Sequence, residues 1–512
     1  MMTDQAMVPR SKADSSSALA KNRLGSVALV FFVLSAAAPL ASTAGGTSTG
    51  WAVTGVTQIP LAFVVTAVLL LVFVVGYTAM SRHVTSAGAL YTYVARGLGP
   101  VTGISAAFVA LVSYAAMQIG LFGGIGAVAA SFFNPRLGSL PMAGHPPWWV
   151  YGAPAWVLVL IFGRLRVDFN SRVLGVLMGA ECLVMIIFDA IMLAHPHGGH
   201  LSTDTLAPSG LAKPAISVAV VIAFTSFVGV EDTTNYSEES RPGTLGKAMR
   251  VSILVGACIY ALSAWSMSVA TGPDQVVGEA RQQGSELMFN LVGASVGTTM
   301  VDVGHLLFLT SLFASCLSFH NTVSRYLFAM GREGVLPRAL GITSRRTGTP
   351  KNASLCQSGI AAVVLVVAAV SGWDPMVQMF FWMGTLAGVG VAVLMCLASI
   401  AVLGFFARDP HGEPLTHRVV FPALAALALG AVVVLTLDHY AILLGVTPGA
   451  PVARLLPGVL VLAAAVGLIR GAHLYVRRDR PDAAYHHVGL GYEIADRPTT
   501  HHPVPPTTPE GK

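Results

Sequence analysis

Long apolar stretches alternate with short polar connections along most of the chain. Twelve of them are long enough to cross about 30 Å of hydrocarbon as an α-helix. None alternates between apolar and polar residues as an outer-membrane β-strand does. The pattern predicts an all-α membrane protein of about twelve transmembrane helices. The stretches lie near residues 24–46, 59–79, 103–132, 148–163, 173–194, 214–236, 249–271, 298–321, 353–371, 377–405, 419–437 and 453–474.

Composition supports the same class independently. Of 512 residues, 54% are hydrophobic and 11% are charged, which is more apolar side chain than one or two soluble cores can bury. All five cysteines fall inside predicted spans, where a free thiol behaves as a small apolar group. We therefore expect no disulfide, no metal site and no cofactor. The cysteines are Cys182, Cys258, Cys316, Cys356 and Cys396.

Basic residues are distributed unevenly between the two sides of the predicted membrane. Of the 30 Lys and Arg, 26 lie in the two tails and alternate connections, and only Arg136, Lys213, Arg281 and Arg454 lie on the other side. Short loops rich in Lys and Arg stay cytoplasmic during insertion. Both termini are therefore predicted to be cytoplasmic. The net charge of +6 needs no nucleic-acid partner, because this bias and attraction to anionic lipid account for it.

The first apolar stretch has two interpretations. Residues 21–46 resemble a secretory signal, with a basic flank, an apolar run and small residues up to Ala44. Cleavage after Ala44 would leave eleven spans and the same topology for the rest. The alternative is a first transmembrane helix that is broken by Pro39, since proline removes a backbone donor and clashes with the preceding turn.

A second irregularity lies in the sixth span. Hydroxyls, a glycine and the acids Glu231 and Asp232 interrupt an apolar run at residues 224–232. Two discontinuous helices at corresponding positions of two halves are the best sequence indication of a binding site at the membrane midplane. The simpler alternative is that Pro39 makes a kink and Gly229 allows a close helix contact.

Three separated segments resemble the amino acid, polyamine and organocation transporter superfamily. They are residues 80–99 after the second span, the sixth span with its exit through Glu238 to Pro242, and residues 321–337 at the end of the eighth span. The resemblance implies a five-plus-five inverted-repeat transport core at residues 24–405, with two added helices at 406–474. Residues 1–23 are then a cytoplasmic tail, and 475–512, rich in proline, threonine and histidine, form a disordered one.

The same resemblance implies that substrate is held where helices 1 and 6 unwind. Free N–H groups around Ala38 and Leu40 would face an amino acid's carboxylate, and carbonyls at 224–226 would face its ammonium group. Many family members have a glycine-rich stretch in helix 1, whereas this chain has Ser35 and three alanines, which narrows the site. The predicted substrate residues are Ser35, Ala36, Ala37, Ala38, Pro39, Leu40, Phe224, Thr225, Ser226, Phe227 and Gly229, with Tyr114 and Gln118 of the third span.

Two buried acids are candidates for ion coupling. Glu231 lies at the break in span six, where it is either a proton-linked switch or a cap for broken backbone. Glu181 in span five is a second proton candidate, or an acid that pairs with a hydroxyl or a loop arginine. Ser315 and Ser318 of span eight could instead help to bind sodium, which prefers oxygen ligands. Asp189 lies near an outer end, where we expect contact with water.

These features predict a secondary active transporter that moves amino acids across the cell membrane by alternating access, coupled to protons rather than sodium. A polyamine or organic-cation carrier and a gradient-independent exchanger are alternatives, and a transport-inactive sensor is a further one. An enzyme would need clustered His, Asp or Cys within the spans. Only His305 and His320 lie in or near one span.

Overall fold

A computed structural model describes residues 24–86, 88–137, 145–165, 167–209, 216–241, 243–344, 347–479 and 484–490. Within these ranges every regular element is helical, apart from one bridge between Leu24 and Ser240. Ten helices are long and apolar enough to span a membrane, and two shorter apolar ones complete the predicted twelve. The predicted tail at 1–23 and residues 491–512 of the other tail lie outside the described ranges.

We number the helices that correspond to the twelve predicted spans α1 to α12. Shorter helices in their connections lie at Ala89–Leu98, Val276–Gln283, Leu287–Val296 and Tyr440–Leu443. Helix α1 has two halves, α1a (Ser26–Ala37) and α1b, which continues through Pro39–Ala41, Ser42–Thr47 and Ser48–Thr54. Helix α6 is also divided, into α6a (Ile216–Thr225) and a short 3₁₀ segment α6b (Glu231–Tyr236). The others are α2 (Ile59–Ser81), α3 (Pro100–Leu137), α4 (Trp148–Phe162), α5 (Val167–Ala194), α7 (Thr244–Thr271), α8 (Thr298–Arg332), α9 (Lys351–Val370), α10 (Pro375–Arg408), α11 (Thr416–Asp438) and α12 (Val452–Val476).

The divided helices lie inside the bundle. Helix α1a packs against α5, α7 and α8, and α6a packs against α2, α11 and α1b. The long helix α3 contacts α8, α10 and α12. The outer surface is apolar: Val176 and Leu427 are each 73% exposed. Such a surface requires lipid, so the chain is a multi-pass membrane protein.

Helix α8 continues well beyond its predicted end at residue 321. Polar residues at 320–325 lie at and beyond the end of the apolar stretch, and they are buried against other helices. The His320 ring, for example, lies within hydrogen-bond distance of Gln118 on α3 and of the Ser354 hydroxyl on α9. Partners on other helices thus allow polar side chains to remain inside the bundle.

Two other parts of the chain differ from expectation. Asp189 is buried and not, as expected, in contact with water. Its carboxylate accepts hydrogen bonds of 2.8 Å from the hydroxyls of Ser263 and Ser266 on α7. Residues 484–490, within the tail that composition predicts to be disordered, pack on the body of the protein. The Gly489 N–H donates to Glu333 at 3.1 Å, and Arg96 donates to the Gly489 carbonyl at 2.8 Å.

Candidate functional site

The break in α1 is centred on Ala38. This residue adopts a left-handed conformation, with φ 44° and ψ 73°. The following Pro39 disfavours the right-handed helical conformation at the residue before it, so the helix is interrupted here. The break frees the N–H of Leu40, which we expected to be available to substrate. It instead donates to the Glu181 carboxylate of α5 at 2.6 Å, and the Ser311 hydroxyl of α8 donates to the same oxygen at 2.7 Å.

The break in α6 is centred on Gly229, whose φ of 110° belongs to a region that favours glycine. A Cβ placed there would lie 2.5 Å from the Cβ of Ala36, so the two breaks meet at this point. The Gly229 N–H donates to both carboxylate oxygens of Glu231, at 3.0 and 3.2 Å. The Tyr114 hydroxyl of α3 donates to the same carboxylate at 2.9 Å.

Each break is therefore supported by a buried glutamate. Glu181 accepts the N–H that is freed in α1, and Glu231 accepts one that is freed in α6. A buried N–H without a partner costs about 1 to 3 kcal/mol, so these two bonds offset part of the cost of interrupting the helices. Glu181 thus pairs with a hydroxyl and Glu231 with broken backbone, which are the contacts expected of the structural alternative for each acid.

A cavity of about 140 Å³ lies between the two breaks and α3, α8 and α10. Its described lining contains no charged side chain. The alanines Ala36, Ala37, Ala38 and Ala41 border it on one side. Hydroxyls border it too, from Ser42, Thr49, Thr225, Ser226, Ser315, Thr385 and Thr436. The larger apolar side chains are Val53, Met117, Leu121, Val221, Ile222, Phe224, Val228, Phe319, Phe380, Phe381, Val389 and Leu443.

The ends of the half-helices also face this cavity. Ala41 and Ser42, in the first turn of α1b, and Phe224 to Ser226, at the end of α6a, belong to its lining. The carbonyls of Phe224 and Thr225 accept hydrogen bonds from the N–H groups of Phe227 and Val228 in the following turn, while the Ser226 carbonyl accepts one from Tyr260 at 3.1 Å. The positive end of one helix and the negative end of another thus border one space.

Other predicted site residues lie outside the described lining. Phe227 packs edge-on against Tyr260, with ring centroids 5.2 Å apart. Gln118 contacts His320 and accepts a hydrogen bond from Gln357 at 2.6 Å. Ser35 and Pro39 are buried, and the Ser35 hydroxyl has no hydrogen-bond partner among the described residues.

The two serines of α8 lie against α1a. The Ser315 hydroxyl donates to the Ala36 carbonyl at 2.6 Å, and the Ser318 hydroxyl donates to the Phe32 carbonyl at 3.3 Å. These are the oxygen types that a sodium ion prefers. In this structure each serine hydroxyl is hydrogen-bonded to its α1a carbonyl.

Asp232 is a buried acid for which the sequence pattern predicts no separate role. Its carboxylate accepts hydrogen bonds of 2.8 Å from Thr322 on α8 and from Asn235 in α6b. Among the described residues, neither Asp232 nor the adjacent Glu231 has a basic side chain as a hydrogen-bond or ion-pair partner. Two acids in succession at a helix break could have directed attention to both, since charged residues inside a membrane are costly and usually functional.

The family model for amino acid permeases matches residues 24–466. The chain belongs to the amino acid permease family. This permease is thus a member of the amino acid, polyamine and organocation superfamily and a membrane transporter of amino acids or polyamines, as the motifs predicted.

Individual relatives of the permease divide between two substrate classes. It is 23% identical to the low-affinity putrescine importer PlaP of Escherichia coli (strain K12) over 418 residues, which are 77% of this chain and 84% of PlaP. It is 24% identical to the branched-chain amino acid permease BcaP of Bacillus subtilis over 322 residues, or 59% of this chain and 66% of BcaP.

Proposed function

We propose that this permease carries a neutral amino acid with an apolar side chain, by alternating access and with a proton as coupling ion. The observation that supports this most is the uncharged lining of the cavity between the breaks. A zwitterion needs one donor group and one acceptor group. The first turn of α1b suits its carboxylate, and the end of α6a suits its ammonium group.

The same lining argues against a polyamine. A diamine carries two cationic groups and no carboxylate, so it would need acidic side chains in the cavity. The nearby acids Glu181 and Glu231 point to backbone N–H groups and hydroxyls, and neither belongs to the described lining. A leucine-like side chain would instead pack against Val53, Leu121 and Phe319.

Glu231 is the proposed proton site. Its carboxylate joins the α6 break to α3 through Gly229 and Tyr114, so its hydrogen bonds depend on how those helices are arranged. A carboxyl group in such a position can take up a proton in one conformation and release it in the other. Glu181 is also a buried glutamate, but its hydrogen bonds join α5 to α1b and α8.

The experiment is uptake of labelled leucine and labelled putrescine into proteoliposomes, under an imposed proton gradient or sodium gradient. Leucine should accumulate under the proton gradient alone. Preferred uptake of putrescine would overturn the substrate assignment. Accumulation that follows sodium and is lost in Ser315→Ala would favour the serines of α8, and leucine exchange that ignores both gradients would favour an exchanger. Leucine binding without any transport would indicate a sensor.

Two matched variants test the coupling role. Glu231→Gln keeps an acceptor for the Gly229 N–H but cannot exchange a proton, so it should bind and exchange leucine while losing proton-driven accumulation. Glu181→Gln makes the same chemical change at the other break and should keep accumulation. If Glu231→Gln accumulates leucine as well as Glu181→Gln does, Glu231 is not the proton site.

A further inference from the structure

A second, larger cavity lies at the other end of α6, on the predicted cytoplasmic side. Its volume is about 580 Å³, and it is formed by the end of α2, the segment that follows α6b and the beginning of α7. Its described lining contains charged residues, in contrast to that of the cavity at the breaks. The residues that matter here are Ser81, Arg82, Ser237, Arg241, Lys247 and Arg250.

The cavity carries uncompensated positive charge. Arg241, Lys247 and Arg250 are exposed, and their side chains have no hydrogen-bond or ion-pair partner among the described residues. The other two charged groups of the lining are already paired. Arg82 binds Glu413 at 2.6 Å, and both carboxylate oxygens of Glu238 accept hydrogen bonds from Arg332, at 2.5 and 3.0 Å.

The amino end of helix α7 adds to the positive potential of these side chains. Helix α7 begins at Thr244 and runs for 28 residues, and no side chain caps its amino end at Gly243. Gly243, Leu245 and Gly246 belong to the cavity lining. The positive end of the helix dipole therefore coincides with the three basic side chains, which suits an anion.

A lipid-facing stripe continues from the cavity along α7. Lys247 and Arg250 are followed on the same helical face by Leu254, Cys258 and Leu262, at spacings of three or four residues. Leu254 is 51% exposed and Leu262 is 40% exposed. A ligand with a phosphate group and a hydrocarbon chain would contact the basic cavity and the apolar stripe of α7 at once, whereas a free phosphate would contact only the cavity.

We propose that this cavity binds the phosphodiester headgroup of an anionic phospholipid, whose acyl chain lies along Leu254, Cys258 and Leu262. Basic pockets between transmembrane helices on the cytoplasmic side suit such headgroups. The site is independent of the proposed substrate. Because Ser237, Glu238 and Arg241 belong to the segment after α6b, a bound headgroup would also contact the connection between α6 and α7.

The test uses the purified full chain and native mass spectrometry with phosphatidylglycerol, phosphatidylcholine and glycerol phosphate as separate probes. A variant with Arg241→Gln, Lys247→Gln and Arg250→Gln removes the free charges. The control variant carries Arg338→Gln and Lys351→Gln, two exposed basic residues on the same predicted side that do not line the cavity. Lys351 also lies in the first turn of a helix, as Lys247 does.

The parent chain should retain one phosphatidylglycerol at least about tenfold more tightly than the triple variant. The control should bind it like the parent, and phosphatidylcholine should bind the parent weakly. Equal losses in the triple and control variants would mean general surface attraction and would overturn the proposal. Glycerol phosphate bound as tightly as the lipid would show a site for soluble anions instead. Thermal unfolding of the triple variant, whose changes are all at exposed positions, verifies that it is folded.

Discussion

At the scale of single residues, the site depends on how each helix break satisfies its backbone. Glu181 accepts the Leu40 N–H, and Glu231 accepts the Gly229 N–H. Neither acid is needed to line the cavity. The carboxylates accept hydrogen bonds from N–H groups that would bond to a carbonyl in an unbroken helix. These bonds fix the orientation of the peptide groups at the two breaks.

Gly229 is expected to tolerate no side chain. In Gly229→Ala the new methyl group would overlap Ala36, and the residue would keep a φ of 110°, a sparsely populated conformation that costs a non-glycine residue about 1 to 3 kcal/mol. We expect a loss of at least about 2 kcal/mol of stability, including overpacking, and loss of leucine uptake. The measurements are thermal unfolding in detergent and proteoliposome uptake.

Gly359→Ala is the control for that variant. Gly359 lies within helix α9, and nothing lies within 4 Å of a Cβ placed there. Alanine has the higher helix propensity, so this change should leave stability unchanged or raise it by less than about 1 kcal/mol. A Gly229→Ala protein as stable and active as Gly359→Ala would contradict the close contact between the breaks.

Glu181 is expected to act through its hydrogen bonds rather than its charge. Both of its recorded donors, the Leu40 N–H and the Ser311 hydroxyl, bind one carboxylate oxygen. Glutamine supplies that oxygen, whereas alanine leaves two buried donors without a partner, at about 1 to 3 kcal/mol each. Thermal unfolding should therefore show Glu181→Ala to be much less stable than Glu181→Gln. Equal stabilities of the two variants would refute this role.

At the scale of elements, α8 is joined to the segment after α6b by two buried ion pairs. Arg325 donates to Glu239 at 2.5 and 3.1 Å, and Arg332 donates to Glu238. The backbone of the same segment bonds to the start of α1a, where the Leu24 N–H donates to the Glu239 carbonyl at 3.1 Å. The start of α1a, the segment after α6b and α8 are thus held together on the predicted cytoplasmic side of the cavity at the breaks.

Breaking the ion pair between Arg325 and Glu239 should weaken the connection between α8, the segment after α6b and the start of α1a. Arg325→Gln breaks the ion pair between Arg325 and Glu239, and removing one member of a buried ion pair costs about 3 to 5 kcal/mol. We expect faster reaction of a membrane-impermeant thiol reagent with Ser318→Cys, in a background without the five native cysteines. Ser318 lies beside the Phe32 carbonyl of α1a.

Two comparisons make this prediction specific. Arg82→Gln removes an arginine from an ion pair in which Arg82 is 52% exposed, so its effect on labelling should be small. Arg325→Met combined with Glu239→Met removes both buried charges and should restore slow labelling. If Arg82→Gln and Arg325→Gln accelerate labelling equally, the buried pair does not hold the segment.

Local chemistry made both breaks predictable, whereas their tertiary partners were not. Pro39 and Gly229 indicate where a helix must end, because their effect on the backbone is intrinsic. The Leu40 N–H, by contrast, meets Glu181 across 141 positions of sequence, and no pattern along one helix gives that distance. The same limit explains why α8 was predicted to end too early, since only packing shows that its polar residues have partners.

At the scale of the whole molecule, the charge pattern and the apolar surface describe a protein oriented in lipid. Exposed valines and leucines cover the outside of the bundle. The paired and unpaired basic residues of the described chain, including those of the proposed lipid site, lie mainly at one end. Because loops rich in Lys and Arg remain cytoplasmic, this end is predicted to face the cytoplasm.

Reporter fusions test that orientation. Green fluorescent protein fluoresces only where it folds in the cytoplasm, and alkaline phosphatase is active only after export. A fusion after residue 479, beyond α12, should fluoresce and lack phosphatase activity, whereas a fusion at residue 447, in the connection between α11 and α12, should behave in the opposite way. Of the basic residues on that opposite side, only Arg454 lies near the second point. Phosphatase activity at residue 479 would reverse the orientation and place Arg241, Lys247 and Arg250 of the α7 cavity outside the cell, where the positive-inside rule no longer explains them.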